Sequence, residues 1–307
     1  MKFTLLGTRG SRPVIKKETF KYGGNTTSYK IEIEGMPPIY IDGGTGLFRE
    51  GRRISSDLKS NKITEFRAYF LVTHTHWDHI LSFPFFKPFY RDKTQFTVYG
   101  PASSARNWEI EDLFNMQHRK GLFPVPFELL RKHLRFVDVK PGKKIKIEKA
   151  EVKTMQLNHQ GLTIGYRIKE STTGKSIAVI TDNAPVEDGN FLGVGMNYSK
   201  KDWPKRTKEF NNKLVRFLKD TDLVLQDTHF THEGIKGREN WGHSTPDKAV
   251  EFSARAGVKT LILGHHAPED DDKDVKKKLQ NARKLARNTF KSDLKVILVR
   301  ERETICL

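Results

Sequence analysis

Of 307 residues only one is a cysteine, Cys306, which leaves no partner for an internal disulfide and no thiolate cluster for a metal. Hydrophobic residues make up 36%, and none of their runs approaches the roughly 20 apolar residues of a membrane-spanning helix. The opening "MKFTLLGTRG" has too short an apolar run for a secretory leader, so a cytoplasmic protein with no membrane association is expected. No low-complexity linker interrupts the chain, which predicts a single domain over residues 1–307. Acidic residues are in deficit. The chain has 37 Asp and Glu against 55 Lys and Arg, a formal charge of +18. Such a field favours anionic partners: phosphates, nucleotides, nucleic acid such as RNA, or anionic membranes. A lysine-rich solvated surface gives the same count, and the basic residues at 143–149, 200–208 and 273–291 fit either reading.

Short apolar runs alternate with helical patterns. Strands are expected at 2–6, 28–33, 38–42, 66–72, 96–99, 145–147, 151–157, 163–168, 176–181, 222–226, 259–263 and 295–299. Helices are expected near 104–118, 205–219, 245–256 and 272–290. Thr245, Pro246 and Asp247 read as an N-cap, a first-turn proline and a first-turn acid, and Asp270 to Asp272 as the start of the last helix. Strands dominate each half and helices follow them. That order predicts an α/β fold, an αββα sandwich of two mixed β-sheets with helices on the outer faces.

The densest chemistry lies in "THTHWDHI", residues 73–80. Three histidines beside a carboxylate are hard to bury without partners, and neutral imidazole is the commonest metal ligand. Residues two apart in an extended segment share a side, so His74 and His76 can hold one ion, while Asp78 and His79 follow a turn and can face another. Downstream, His159, Asp182 and His265 each sit just past the end of an apolar run, where a rigid scaffold positions chemistry. Elsewhere, His118 and His133 lie among basic residues and are expected at the surface, Trp77 is expected to pack beneath the metal loop, and "FPFF" at 83–86 is read as core or interface.

With these residues in place, the sequence resembles the metallo-β-lactamase fold hydrolases. "THTHWDH" is similar to their His-x-His-x-Asp-His signature, His159, Asp182 and His265 match the later ligands in order, and Asp42 in "YIDGGTG" matches an early supporting aspartate. Within that family, "LLGTRGSRP", "YGGNTTSY", "GYRI" and "WGHST" look closest to the ribonuclease Z and small phosphodiesterase branch. The resemblance implies two divalent ions, zinc or manganese. His74, His76 and His159 would hold one, Asp78, His79 and His265 the other, and Asp182 would bridge them. Asp78 would also orient the attacking water. His243 in "WGHST" matches a residue that contacts phosphate and protonates the leaving oxygen, with Asp227 or Glu233 as its orienting acid. A homodimer is also implied.

The expected activity is hydrolysis of a phosphodiester in a small, cyclic nucleotide. Ribonuclease Z of the tRNA-processing kind carries a protruding arm between the ligands matching His159 and Asp182. Here that interval is 23 positions, which two strands and a "TTGK" turn use up. An RNA endonuclease resembling ribonuclease Z, a thioester or lactam hydrolase on the same fold, and an inactive nucleic-acid-binding module are the alternatives. The absence of a cysteine ligand weighs against the lactam enzymes, and the complete ligand set against the inactive module.

Overall fold

The structure is a computed structural model that describes every residue except 103–107 and 188. It is α/β, with two mixed seven-stranded sheets and helices packed on them. The chain forms two compact units, one of residues 1–13, 23–140 and 301–306, the other of 14–22, 141–300 and 307.

The first unit contains β1 (Lys2–Gly7), β2 (Ser28–Glu32), β3 (Ile39–Ile41), α1 (Leu47–Lys59), β4 (Phe66–Leu71), α2 (Trp77–Ile80), β5 (Thr94–Pro101), α3 (Ile110–Gln117), α4 (Glu128–Arg131) and β6 (Leu134–Val139). The second contains β7 (Lys144–Ile147), β8 (Ala150–Gln156), β9 (Ile164–Glu170), β10 (Ser176–Ile180), α5 (Trp203–Leu218), β11 (Leu223–Asp227), α6 (Pro246–Arg255), β12 (Thr260–Gly264), α7 (Asp272–Asn288) and β13 (Lys295–Ile297). A last strand, β14 (Thr304–Cys306), returns to the first unit.

The first sheet runs β14-β1-β2-β3-β4-β5-β6 and the second β13-β12-β11-β10-β9-β8-β7. Each is antiparallel at one end and parallel at the other. β3 to β6 are parallel in the first sheet, and β10 to β13 in the second. Parallel neighbours end on the same edge of a sheet, so residues that follow them in sequence are gathered together.

The first core is aromatic. Phe70 makes edge-to-face contacts with Phe83, Phe86 and Phe89 at centroid distances of 5.7, 5.6 and 5.4 Å. "FPFF" is therefore core at Phe83 and Phe86, while Phe85 faces outward. The second core joins Leu214 and Leu218 of α5, Ala249 and Val250 of α6 and Ala282 of α7 to Val224 of β11 and Leu261 of β12. Thr245 caps α6 by accepting from Lys248 N, and Asp271 closes a capping box with Asp274 at α7.

The twelve expected strands are present, and β6 and β14 add to them. The helix expected over 104–118 spans 110–117, and its first residues lie outside the described ones. Helix α1 was not anticipated. Gly51 and the Ser55-Ser56 pair weaken its pattern, but Leu47 and Ile54 bury one face against the core, and tertiary burial overrides propensity. His118 is buried rather than on the surface. Its Nδ1 donates to Phe114 O at 2.7 Å and its Nε2 meets Tyr90 Oη at 2.9 Å. His133 is half-buried. Trp77 projects outward, 60% exposed, because it starts a helix of four residues whose inward positions belong to Asp78, His79 and Ile80. No described helix is long and apolar enough to cross a membrane.

Candidate metal centre

In the first unit, register brings the supporting aspartate to the histidine loop. Ile41 of β3 pairs with Leu71 of β4, so Asp42 and Thr73 emerge side by side. The buried Asp42 carboxylate accepts from Thr73 N at 2.7 Å, from Thr73 Oγ1 at 2.8 Å and from His79 Nδ1 at 2.8 Å. Burial raises the Asp42 pKa above its ordinary value, against the opposing pull of His79 and Thr73. Because a carboxylate only accepts, Nδ1 of His79 carries the proton and Nε2 of the neutral ring presents its lone pair. That Nε2 faces Asp78 Oδ2 at 3.2 Å. Ser11 N donates to the same Oδ2 at 2.8 Å. His74 lies with its ring centroid 4.6 Å from His76 and 4.2 Å from His79. His74 is buried and His76 is exposed.

In the second unit the ends of β8, β10, β11 and β12 do the same work. Residue His159 follows β8, Asp182 follows β10, Asp227 closes β11 and His265 follows β12. Asp227 pairs with Gly264 in register, which sets His265 beside it. The Asp182 carboxylate divides its two oxygens between two imidazoles. Oδ2 lies 3.6 Å from His159 Nε2, and Oδ1 lies 3.0 Å from His265 Nε2. The tautomer of His159 follows from its other nitrogen, because Nδ1 must donate to Gly242 O at 2.9 Å. The lone pair of a neutral His159 therefore points at a carboxylate oxygen. Lone pair against carboxylate is repulsive when nothing lies between, and a cation held by both atoms removes the repulsion. The donor set, imidazole and carboxylate without thiolate, fits zinc or manganese. Asp182, Asp227, His243 and His265 each offer a ligand atom within 4.8 Å of the others.

Three of these residues hold strained backbone. Asp42, Asp182 and His265 have φ of 58°, 45° and 53°, in the left-handed region that side chains with a Cβ disfavour. At each of these three the surrounding hydrogen bonds and packing hold the residue in that conformation just past a strand end.

The His243 question is resolved by contact. Asp227 Oδ2 accepts from His243 Nδ1 at 3.0 Å and from Ser244 N at 3.2 Å, while Oδ1 accepts from His229 N at 2.8 Å. Starting from the end of a strand, the shorter acid reaches the ring. Glu233 is exposed.

Two residues went unnoticed in the sequence. His229 stacks on His243 with centroids 4.3 Å apart and planes 14° apart. Burial, then His243 and His265, push its pKa down to about 2, so it is neutral. Its place in "QDTHF", two beyond Asp227, is the same strand-end signal that marked the others. Lys278 of α7 is the second, buried with Nζ donating to Thr228 O, His229 O and Asp270 Oδ2 at 2.9, 2.6 and 2.5 Å. Within a basic run nothing distinguishes it. Asp270 serves this lysine rather than the helix cap.

Known proteins agree with this architecture. The profile of a family described as a beta-lactamase superfamily domain matches residues 37–193, about half of the chain. Ribonuclease Z of Methanosarcina acetivorans is 24% identical over 315 residues, spanning 94% of this chain and 95% of that protein. Among solved structures, unliganded yeast PDE1 superposes with a TM-score of 0.67 at 13% identity, covering 100% of this chain and 99% of the other. The short form of human tRNase Z gives 0.58 at 19% identity, covering 100% and 99%.

Proposed function

The chain belongs to the beta-lactamase superfamily, and from that premise we propose that it is a metal-dependent hydrolase of phosphodiester bonds, acting on a small diester such as a cyclic nucleotide. The observation that carries this reading is the Asp182 carboxylate, with one oxygen toward His159 Nε2 and the other toward His265 Nε2. A carboxylate so placed suits a bridge between two ions. His74, His76 and His159 would hold one ion, and Asp78, His79 and His265 the other, zinc with manganese as the alternative. When bound, such a pair supplies positive charge to the phosphoryl oxygens and acidifies the attacking water. Asp78 would orient that water.

The remaining chemistry belongs to His243. Protonated at both nitrogens, it donates Nε2–H to the leaving oxygen and returns to the neutral ring with its proton on Nδ1. Asp227 accepts from Nδ1 throughout, so it fixes the ring and stabilises the imidazolium. The +18 charge supports an anionic substrate, and kcat/KM should fall with added salt while kcat changes little.

Substrate size rests on the hairpin between His159 and Asp182. β9 and β10 pair antiparallel from Ser176–Lys169 to Val179–Tyr166, and they fill the interval in which an RNA-gripping arm would stand. A second reading, an RNA endonuclease, is favoured by end-to-end alignment with proteins named ribonuclease Z. Cleavage of 3′,5′-cyclic mononucleotides, 2′,3′-cyclic nucleotides and precursor tRNA, measured side by side, separates the two. Turnover of a small diester without efficient tRNA trimming supports the first. Rapid tRNA trimming with no small-diester turnover replaces it with the second.

A further inference from the structure

Beside the His229–His243 stack lies a cavity of about 370 Å³, within the size of small-ligand pockets. It is lined by His229, Phe230, Arg238, Trp241, Glu269 and Asp270, among others. Its walls combine two aromatic rings with one guanidinium and two carboxylates. Trp241 is 58% exposed, an indole presented to solvent, whereas Phe230 is buried beside it with ring centroids 6.0 Å apart. Arg238 lies over both rings, its guanidinium carbon 5.8 Å from Phe230 and 5.6 Å from Trp241, and its Nη1 is tethered to Gly234 O at 3.0 Å. A solvent-exposed indole with a guanidinium held over it offers a cationic and aromatic surface on which a flat heteroaromatic ring stacks. Glu269 and Asp270 lie on the same lining, the latter with its Oδ2 already accepting from Lys278.

The cavity is coupled to the proposed proton donor through short, rigid connections. His229 lines it and stacks on His243. The Phe230 ring centroid lies 5.9 Å from that of His243, and Phe230 N bonds Ser244 O at 3.0 Å. Trp241 is two residues before His243, across Gly242, whose backbone packs so closely on His159 that a Cβ would lie 1.9 Å from Nδ1. A ring held on Trp241 is thus held at a fixed offset from His243.

We infer that this cavity is a nucleobase subsite, in which Trp241 and Arg238 stack the base of a nucleotide whose phosphodiester lies at His243. The inference rests on the phosphodiesterase reading and names its substrate class, a diester that carries a base.

The test compares 3′,5′-cyclic adenosine monophosphate with methyl p-nitrophenyl phosphate, a diester without a base, in the metal-loaded wild type and in Trp241→Ala and Trp241→Phe. The ratio of the two kcat/KM values should fall roughly 5- to 100-fold in Trp241→Ala, the range for losing one base–aromatic stack, chiefly through KM for the nucleotide. Trp241→Phe should recover most of the ratio. An unchanged ratio in Trp241→Ala overturns the subsite, whether both activities stay or both fall together. Hydrolysis of the base-free diester without turnover of any nucleotide also overturns it while leaving the phosphodiesterase reading intact. If no diester is hydrolysed, that reading fails, and equilibrium dialysis with adenosine 5′-monophosphate decides the subsite alone. Binding that Trp241→Ala weakens by the same factor supports it, and binding unaffected by the substitution or no binding overturns it.

Discussion

Replacing Asp227 by Asn keeps the shape of the side chain and removes its charge. In the native protein Oδ2 accepts from His243 Nδ1 and Ser244 N, and Oδ1 accepts from His229 N. An amide has one acceptor oxygen and one NH₂ donor, so it cannot serve all three. With its oxygen toward His243, the NH₂ group meets the His229 N–H donor to donor, and a buried unsatisfied donor costs about 1–3 kcal/mol. With the amide reversed, His243 Nδ1 must accept, and its proton moves to Nε2 as a neutral tautomer with little acidity. Either way the imidazolium loses the carboxylate that stabilises it, and a hydrogen bond to a charged group is worth about 1.5–3 kcal/mol, a factor of roughly 10 to 150. We therefore expect kcat to fall about 10- to 150-fold on a diester with an alkyl leaving group, reaching the lower end of the range for losing a general acid. On p-nitrophenyl esters, whose leaving oxygen needs no proton, the loss should stay below about tenfold. The assay is kcat against leaving-group pKa, with metal content measured by elemental analysis on the same preparations. Equal losses on both leaving groups at normal metal content would refute the proton-transfer role. Loss of metal would show that Asp227 acts as a ligand instead.

Other consequences follow from particular contacts. Gly242→Ala places a Cβ 1.9 Å from His159 Nδ1 at a φ of 87°, so it should weaken metal binding and destabilise the fold by about 2 kcal/mol or more, read from metal-binding isotherms and denaturant melts. Unchanged values in both would contradict the packing described. Lys278→Met leaves the Thr228 and His229 carbonyls and the Asp270 carboxylate without their shared donor, and should cost about 2–4 kcal/mol in denaturant unfolding; a loss under about 0.5 kcal/mol would mean that water replaces the lysine. The exposed rings of Phe48 and Phe85, 5.6 Å apart, and the exposed Leu122 are expected to be covered in a homodimer, and sedimentation velocity at micromolar concentration should find one; a monomer would contradict this.

Much of the site was legible because Asp42, His159, Asp182, Asp227 and His265 sit where a strand stops, whereas His243 lies just ahead of α6. A buried strand announces itself as an apolar run, and the polar residue just after it is conspicuous. His159, Asp182 and His265 stood out in that way, and the three strands that precede them appear within a residue or two of their expected bounds. Asp42 was visible only through the family motif, since a lone aspartate after a strand is ordinary. His229 carries the same positional signal as Asp227, two residues beyond the end of β11, but its stacking on His243 depends on a residue fourteen positions away. Lys278 was illegible. Its burial depends on carbonyls at 228 and 229, about fifty positions away, and no local pattern separates it from the surface lysines on either side. His118 misled for a related reason, because its basic sequence neighbours point outward while the ring turns in toward Phe114 and Tyr90. Helix α1 was hidden by Gly51, whose missing side chain is filled by Phe86 in space rather than in sequence.

Titration of metal-stripped protein with zinc or manganese, with hydrolysis of a small phosphodiester followed at each addition, addresses the metal-dependent activity most directly. Activity should be absent at the start, rise with added metal, and level off at two equivalents per chain. No hydrolysis at any metal content, or activity undiminished in the stripped protein, would contradict it.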